Sequence, residues 1–96
     1  MTTVRARFGR EGYSVVATGH SGSSDSCVAV SAIIQALAGW VHNGTGGMVS
    51  LDKGEAIISF PDCPGAGAVM EMTVIGLLQV QKAAPDDVKV DICCED

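Results

Sequence analysis

The sequence is short of positive charge: 6 Lys and Arg stand against 11 Asp and Glu, a net charge of −5. Nucleic-acid binding needs a clustered basic face to offset phosphate charge, so this balance excludes it as the expected role. No CxxC pair is present. The cysteines are Cys27, Cys63, Cys93 and Cys94, and neither a zinc ribbon nor a thioredoxin-like motif fits that spacing. A leader with a basic start and an apolar middle is also missing. Met1 to Arg7 instead interleaves charged with apolar residues, as a strand does. The longest apolar-rich stretch, Val28 to Val41, is interrupted by Ser31 and Gln35. It falls short of the roughly 20 residues that span a bilayer. A soluble, cytoplasmic protein with no membrane partner is expected. In that compartment disulfides are rare. Linkers, low-complexity tracts and internal repeats, beyond a loose ββα recurrence, are absent.

What remains is a chain of 96 residues that is 47% apolar, too apolar for intrinsic disorder. Surface scaling at this size buries about two-thirds of the unfolded surface. Residues 1–96 therefore make one domain with one core.

Val4 to Phe8 alternates apolar and polar residues and reads as a strand. Gly9-Arg10-Glu11-Gly12 makes a hairpin turn into a second strand, Tyr13 to Thr18. The small-residue stretch from Gly19 to Ser26 leads into a helix from about Ser26 to His42. Val30, Ile33, Ile34, Leu37, Trp40 and Val41 form its apolar stripe. Asn43 to Gly47 stops it. Met48–Leu51 and Ala56–Phe60 flank the turn Asp52-Lys53-Gly54-Glu55, giving a second hairpin. After a break at Pro61 to Gly65, a second helix runs from about Ala66 to Lys82, with Val69, Met72, Ile75, Leu78 and Val80 inward. Val88 to Ile92 closes the chain as a strand. The order is ββαββαβ, an α+β fold: a mostly antiparallel sheet with two helices packed on it.

The stretch Gly19 to Ser31, GHSGSSDSCVAVS, carries the chemistry. Asp25 or Ser26 suits a helix N-cap, which puts Cys27 in the first turn. There the positive end of the helix dipole favours the nucleophilic thiolate, although the Asp25 carboxylate opposes it. Six residues separate His20 from Cys27 along a Gly/Ser loop, close enough in sequence for the imidazole to fold onto the sulfur. Cys with a His base is the minimal set for nucleophilic acyl transfer, and helix-start N–H groups can hold an oxyanion. The residues alone leave the plain alternative open: a core cysteine, since Cys is often buried, and a solvated histidine. Anion binding at the helix start is a third option, but a Walker lysine and the arginine of a Cys-based phosphatase are both missing. Ser31, one turn after Cys27, serves either the site or a back-bond to a helix carbonyl. His42 caps the helix end, and Trp40 belongs to the core or to a dimer contact. Cys63 is a bystander in a turn. Cys93 and Cys94 are neighbours in a strand, so one faces in and one out.

Gly19-His20-Ser21, followed by Cys27-Val28-Ala29-Val30-Ser31-Ala32, resembles the bacterial ribosomal-processing cysteine protease family, Prp. That family has Gly-His-small at the end of its second strand and a Cys-x-Ala-x-Ser-Ala helix start after a loop. The likeness continues in order through the opening strand, the Gly-rich break after the first helix, Gln79-Val80-Gln81 and the closing Pro85 to Val90. It implies a cysteine endopeptidase that trims an N-terminal extension from a large-subunit ribosomal protein and forms a homodimer. Carried over, Cys27 is the nucleophile and His20 the general base and then acid. Gly19, Ser21, Gly22 and Ser31 contact the substrate peptide, and no metal or organic cofactor is implied. Two differences mark this chain. Its His-to-Cys loop is shorter, and Ser24 stands where the family's acidic residue usually does, with Asp25 one place later. A pocket of different shape follows. A divergent relative cleaving another protein, or a non-catalytic dimeric binding module of the same fold, is the alternative.

Overall fold

The computed structural model describes residues 1–19 and 24–95. Seven elements follow in order: β1 (Thr2–Phe8), β2 (Gly12–Thr18), α1 (Ser24–His42), β3 (Met48–Asp52), β4 (Glu55–Pro61), α2 (Ala66–Ala83) and β5 (Val88–Cys94). The strands make one five-stranded sheet in the order β3-β4-β2-β1-β5. Pairings β1–β2, β2–β4 and β3–β4 are antiparallel, and β1–β5 is parallel. The expected α+β architecture is therefore present, with a mixed sheet.

One face of the sheet is buried beneath the helices. Along β1, Thr2, Val4 and Ala6 are buried while Arg5 and Arg7 are exposed, the period-2 pattern of a strand with one covered face. Val15, Ile58, Phe60 and Val88 join the covered side. From α1 come Val30, Ile34, Leu37, Ala38 and Val41, the expected stripe. Ile33 and Trp40 pack at its margin. Trp40 sits edge-on against Phe60 at 5.7 Å between ring centres, so it is a core contact.

Three expectations need correction. First, α1 begins at Ser24, so Asp25 and Ser26 lie inside its first turn rather than at its cap. At 19 residues the helix is consequently longer than the apolar-rich stretch Val28 to Val41. Its window Asp25–His42, with a mean hydropathy of 1.2, reaches membrane-spanning length and apolarity by composition alone. Here its stripe is buried against the sheet. Second, α2 is rotated from the expected phase. Ala66, Met70, Thr73, Val74 and Leu77 are buried, whereas Met72 and Ile75 are 76% and 59% exposed. Apolar residues surround this helix, so more than one stripe satisfies the 3.6-residue period, and packing chose between them. Third, Cys93 and Cys94 are both exposed. β5 is an edge strand, and its last residues run past the helices' cover.

Chain ends and edges are tied down locally. At the end of α1 the Thr45 hydroxyl donates to the Val41 carbonyl at 2.8 Å and accepts from the Gly47 N–H at 3.0 Å. A Cβ on Gly47 would lie 2.3 Å from the Ser59 carbonyl oxygen, so the approach of this loop to β4 requires glycine. Along the free side of β5, the Val88 N–H donates to the Ala84 carbonyl at 3.1 Å. The Val90 N–H donates to Gln81 Oε1 at 2.6 Å. Exposed strand edges template pairing with other chains, and these two bonds occupy the first half of this one. Gln81→Ala should lower stability by about 1 kcal/mol, the net worth of one hydrogen bond. It should also raise the tendency to aggregate on heating, and thermal melting with light scattering checks both.

Candidate active site

Cys27 is the fourth residue of α1 and is exposed. That removes the buried-core alternative for its side chain: it points away from the stripe made by Val30, Ile34 and Leu37. Cys27, Ser31 and Gln35 are spaced by four and so form one row along the helix. All three are exposed. Gln35 Nε2 donates to the Ser31 hydroxyl at 3.0 Å, a side-chain contact within the row.

The row forms one side of a cleft of about 250 Å³. Leu51 and Asp52 of β3 and Glu55 of β4 line another side, and Ala17, Val30 and Ile34 supply apolar surface. Gly19 also lines the cleft. Its glycine identity has a structural cause. Its φ is +88°, and a Cβ there would lie 2.4 Å from the Met1 carbonyl oxygen. Its N–H donates to the Gly54 carbonyl at 3.0 Å, which ties the end of β2 to the β3–β4 turn. Gly19→Ala should cost roughly 1–3 kcal/mol through strain and displaced backbone, read as a drop in melting temperature.

The structure thus brings Gly19, Cys27 and Ser31 to one cleft. His20, Ser21 and Gly22 lie outside the described residues. Gln35, Leu51, Asp52 and Glu55 were missed from the sequence. Gln35 had a legible signal, two turns after Cys27 on the same face. Nothing local in the hairpin sequence marks the other three, because the sheet order brings them there.

The other cysteines are elsewhere. Cys63 is half-buried against the core, and all four thiols are free. A larger hollow of about 670 Å³ lies at the opposite end of the sheet, with Arg7, Arg10, Tyr13 and Glu95 among its lining. There the Arg7 guanidinium is raised, first by its hydrogen bond to the Glu95 carboxylate and then by that charge. The Tyr13 phenol is pushed up by loss of solvent and then by the Asp62 carboxylate, to which its hydroxyl donates at 3.2 Å. These shifts belong to side chains that tie β1 to the residue after β5 and β2 to the β4–α2 connection.

Solved structures share the fold. The essential ribosomal processing protease Prp from S. aureus, with a covalently linked product peptide, matches with a TM-score of 0.77 at 14% identity over 96% of this chain and 99% of that one. The chain has the fold of Prp. Prp with a substrate peptide matches with a TM-score of 0.71 at 12% identity, again over 96% and 99% of the two chains. SMU.848 from Streptococcus mutans matches with a TM-score of 0.70 at 15% identity over 98% of each. No protein-family model and no curated protein sequence matches. The likeness to Prp is thus one of backbone over the full chain.

Proposed function

We propose that this protein is a cysteine endopeptidase that removes an N-terminal extension from a large-subunit ribosomal protein, with Cys27 as nucleophile and His20 as base. One observation carries the proposal: Cys27 is exposed in the first turn of α1, in a cleft that also includes the residue before His20. The shared fold with a protease known in complex with peptides supports it.

In this reaction the Cys27 thiolate adds to the scissile carbonyl carbon. The tetrahedral oxyanion is held by N–H groups at the helix start. Collapse breaks the C–N bond, and the His20 imidazolium gives its proton to the leaving amine. Water, deprotonated by His20, then hydrolyses the thioester, releasing the new carboxylate and restoring the thiol. No metal or organic cofactor enters.

Incubation with the host ribosomal protein carrying its extension, under reducing conditions, should shorten that protein by the extension in an intact-mass measurement. An unchanged mass overturns the substrate assignment. Limited treatment with iodoacetamide gives an independent check. Cys27, Cys93 and Cys94 are all exposed, so exposure alone predicts equal labelling, whereas an activated nucleophile is modified first. The proposal extends to a cytoplasmic homodimer, and a solution mass of one copy by light scattering would remove the dimer from it.

A further inference from the structure

The sheet has two edges, and they are treated differently. On β5 the outward N–H groups of Val88 and Val90 are occupied by Ala84 and Gln81. The other edge is β3. Asp52 and Glu55 flank the two-residue turn as the last pair of the β3–β4 ladder. A two-residue hairpin closes on a hydrogen-bonded pair, and such pairs alternate along an antiparallel ladder. Asp52, Ser50 and Met48 therefore bond β4, and Val49 and Leu51 turn their N–H and C=O groups outward. Among the described residues nothing accepts from or donates to those outward groups. Register is unbroken from Met48 to Asp52, and among the described residues this strand has none of the proline, bulge or covering side chain that normally protects an edge. The bare edge ends at the Cys27 cleft, which Leu51 and Asp52 line opposite Cys27, Ser31 and Gln35.

We infer that β3 is the substrate-docking edge: an extended peptide adds beside it as a sixth strand, bonded to the main chain of Val49 and Leu51, and so runs through the cleft past Cys27. The inference rests on the peptidase function proposed above and assigns its mode of substrate binding. Strand addition is a recurrent way to hold peptides, with main-chain bonds giving affinity and alternate side chains giving selectivity. It suits a protease because it fixes the peptide in the extended form that exposes one carbonyl to the nucleophile. In this cleft, alternate peptide side chains meet the apolar surface of Val30, Ile34 and Leu51. Protecting one edge and leaving the other bare beside a candidate nucleophile fits this division of labour.

Binding is measured with Cys27→Ala, which cannot turn over, and a synthetic peptide spanning the extension junction of the host ribosomal protein. Each backbone amide of the peptide is N-methylated in turn. Strand addition predicts alternation: methylation at every second amide in the docked segment weakens binding about tenfold or more, the equivalent of one lost hydrogen bond, and the amides between tolerate it. On the protein side, Leu51→Pro removes one outward donor, a position where an edge strand accepts proline, and should weaken binding similarly with melting temperature little changed. Uniform tolerance of methylation by a peptide that wild type still cuts overturns strand addition and leaves the peptidase standing. A peptide that neither binds nor is cut overturns both.

Discussion

Cys27→Ala should abolish cleavage of the extended ribosomal protein while leaving the fold intact. Removing the nucleophile of a covalent mechanism costs on the order of 10⁴–10⁶ in kcat, because the remaining base and oxyanion site have no acyl acceptor to serve. The side chain is exposed at the head of α1, so its loss leaves no cavity. The change in stability should stay within about 0.5 kcal/mol, as for surface substitutions generally. The decisive comparison is intact mass of the substrate beside a thermal melt of the enzyme. Full cleavage by the variant would remove Cys27 from the mechanism. A large fall in melting temperature would show instead that the residue is structural.

The second large effect is on stability. Leu77→Ala should destabilise by roughly 2–5 kcal/mol, since Leu77 is fully buried where α2 meets the sheet and truncation there loses transfer energy and leaves a cavity. For a domain of this size each kcal/mol shifts the midpoint by about 4–8 °C, so the melting temperature should fall by well over 10 °C. Against a total stability of about 5–15 kcal/mol this approaches the margin for folding. Met72→Ala on the same helix is the control. Met72 is exposed and its loss should fall within about 0.5 kcal/mol. Equal effects from the two would mean that α2 packs in a different rotation.

That pair of variants marks a boundary in what the sequence reveals. The phase of α1 is legible because its polar and small residues, among them Ser31, Ala32, Gln35 and Ala36, leave one continuous apolar stripe. The phase of α2 is not, because Val69, Met70, Met72, Val74, Ile75, Leu77 and Leu78 leave several. Periodicity decides a helix face only when the opposite face is polar.

The candidate site divides in the same way. Cys27, Ser31 and Gln35 share a face because they share a helix, and spacing alone fixes that. Gly19 is marked by its position at a strand end, but its cause, a left-handed backbone pressed against Met1, is tertiary. Leu51, Asp52 and Glu55 come from a hairpin whose own sequence says only that it turns.

The sequence by itself determined the elements, their order and the placement of Cys27 at a helix start, since these follow from local periodicity, turn residues and capping. Tertiary structure alone decided the strand order β3-β4-β2-β1-β5 and the parallel docking of β5. It also decided which face of α2 is buried, and that β3 borders the cleft with its outer edge unpaired among the described residues. The physical reason is common to all four. Each depends on which surfaces meet across long sequence separations, and burial of area is non-directional, so a local pattern specifies that a face be covered but not by what.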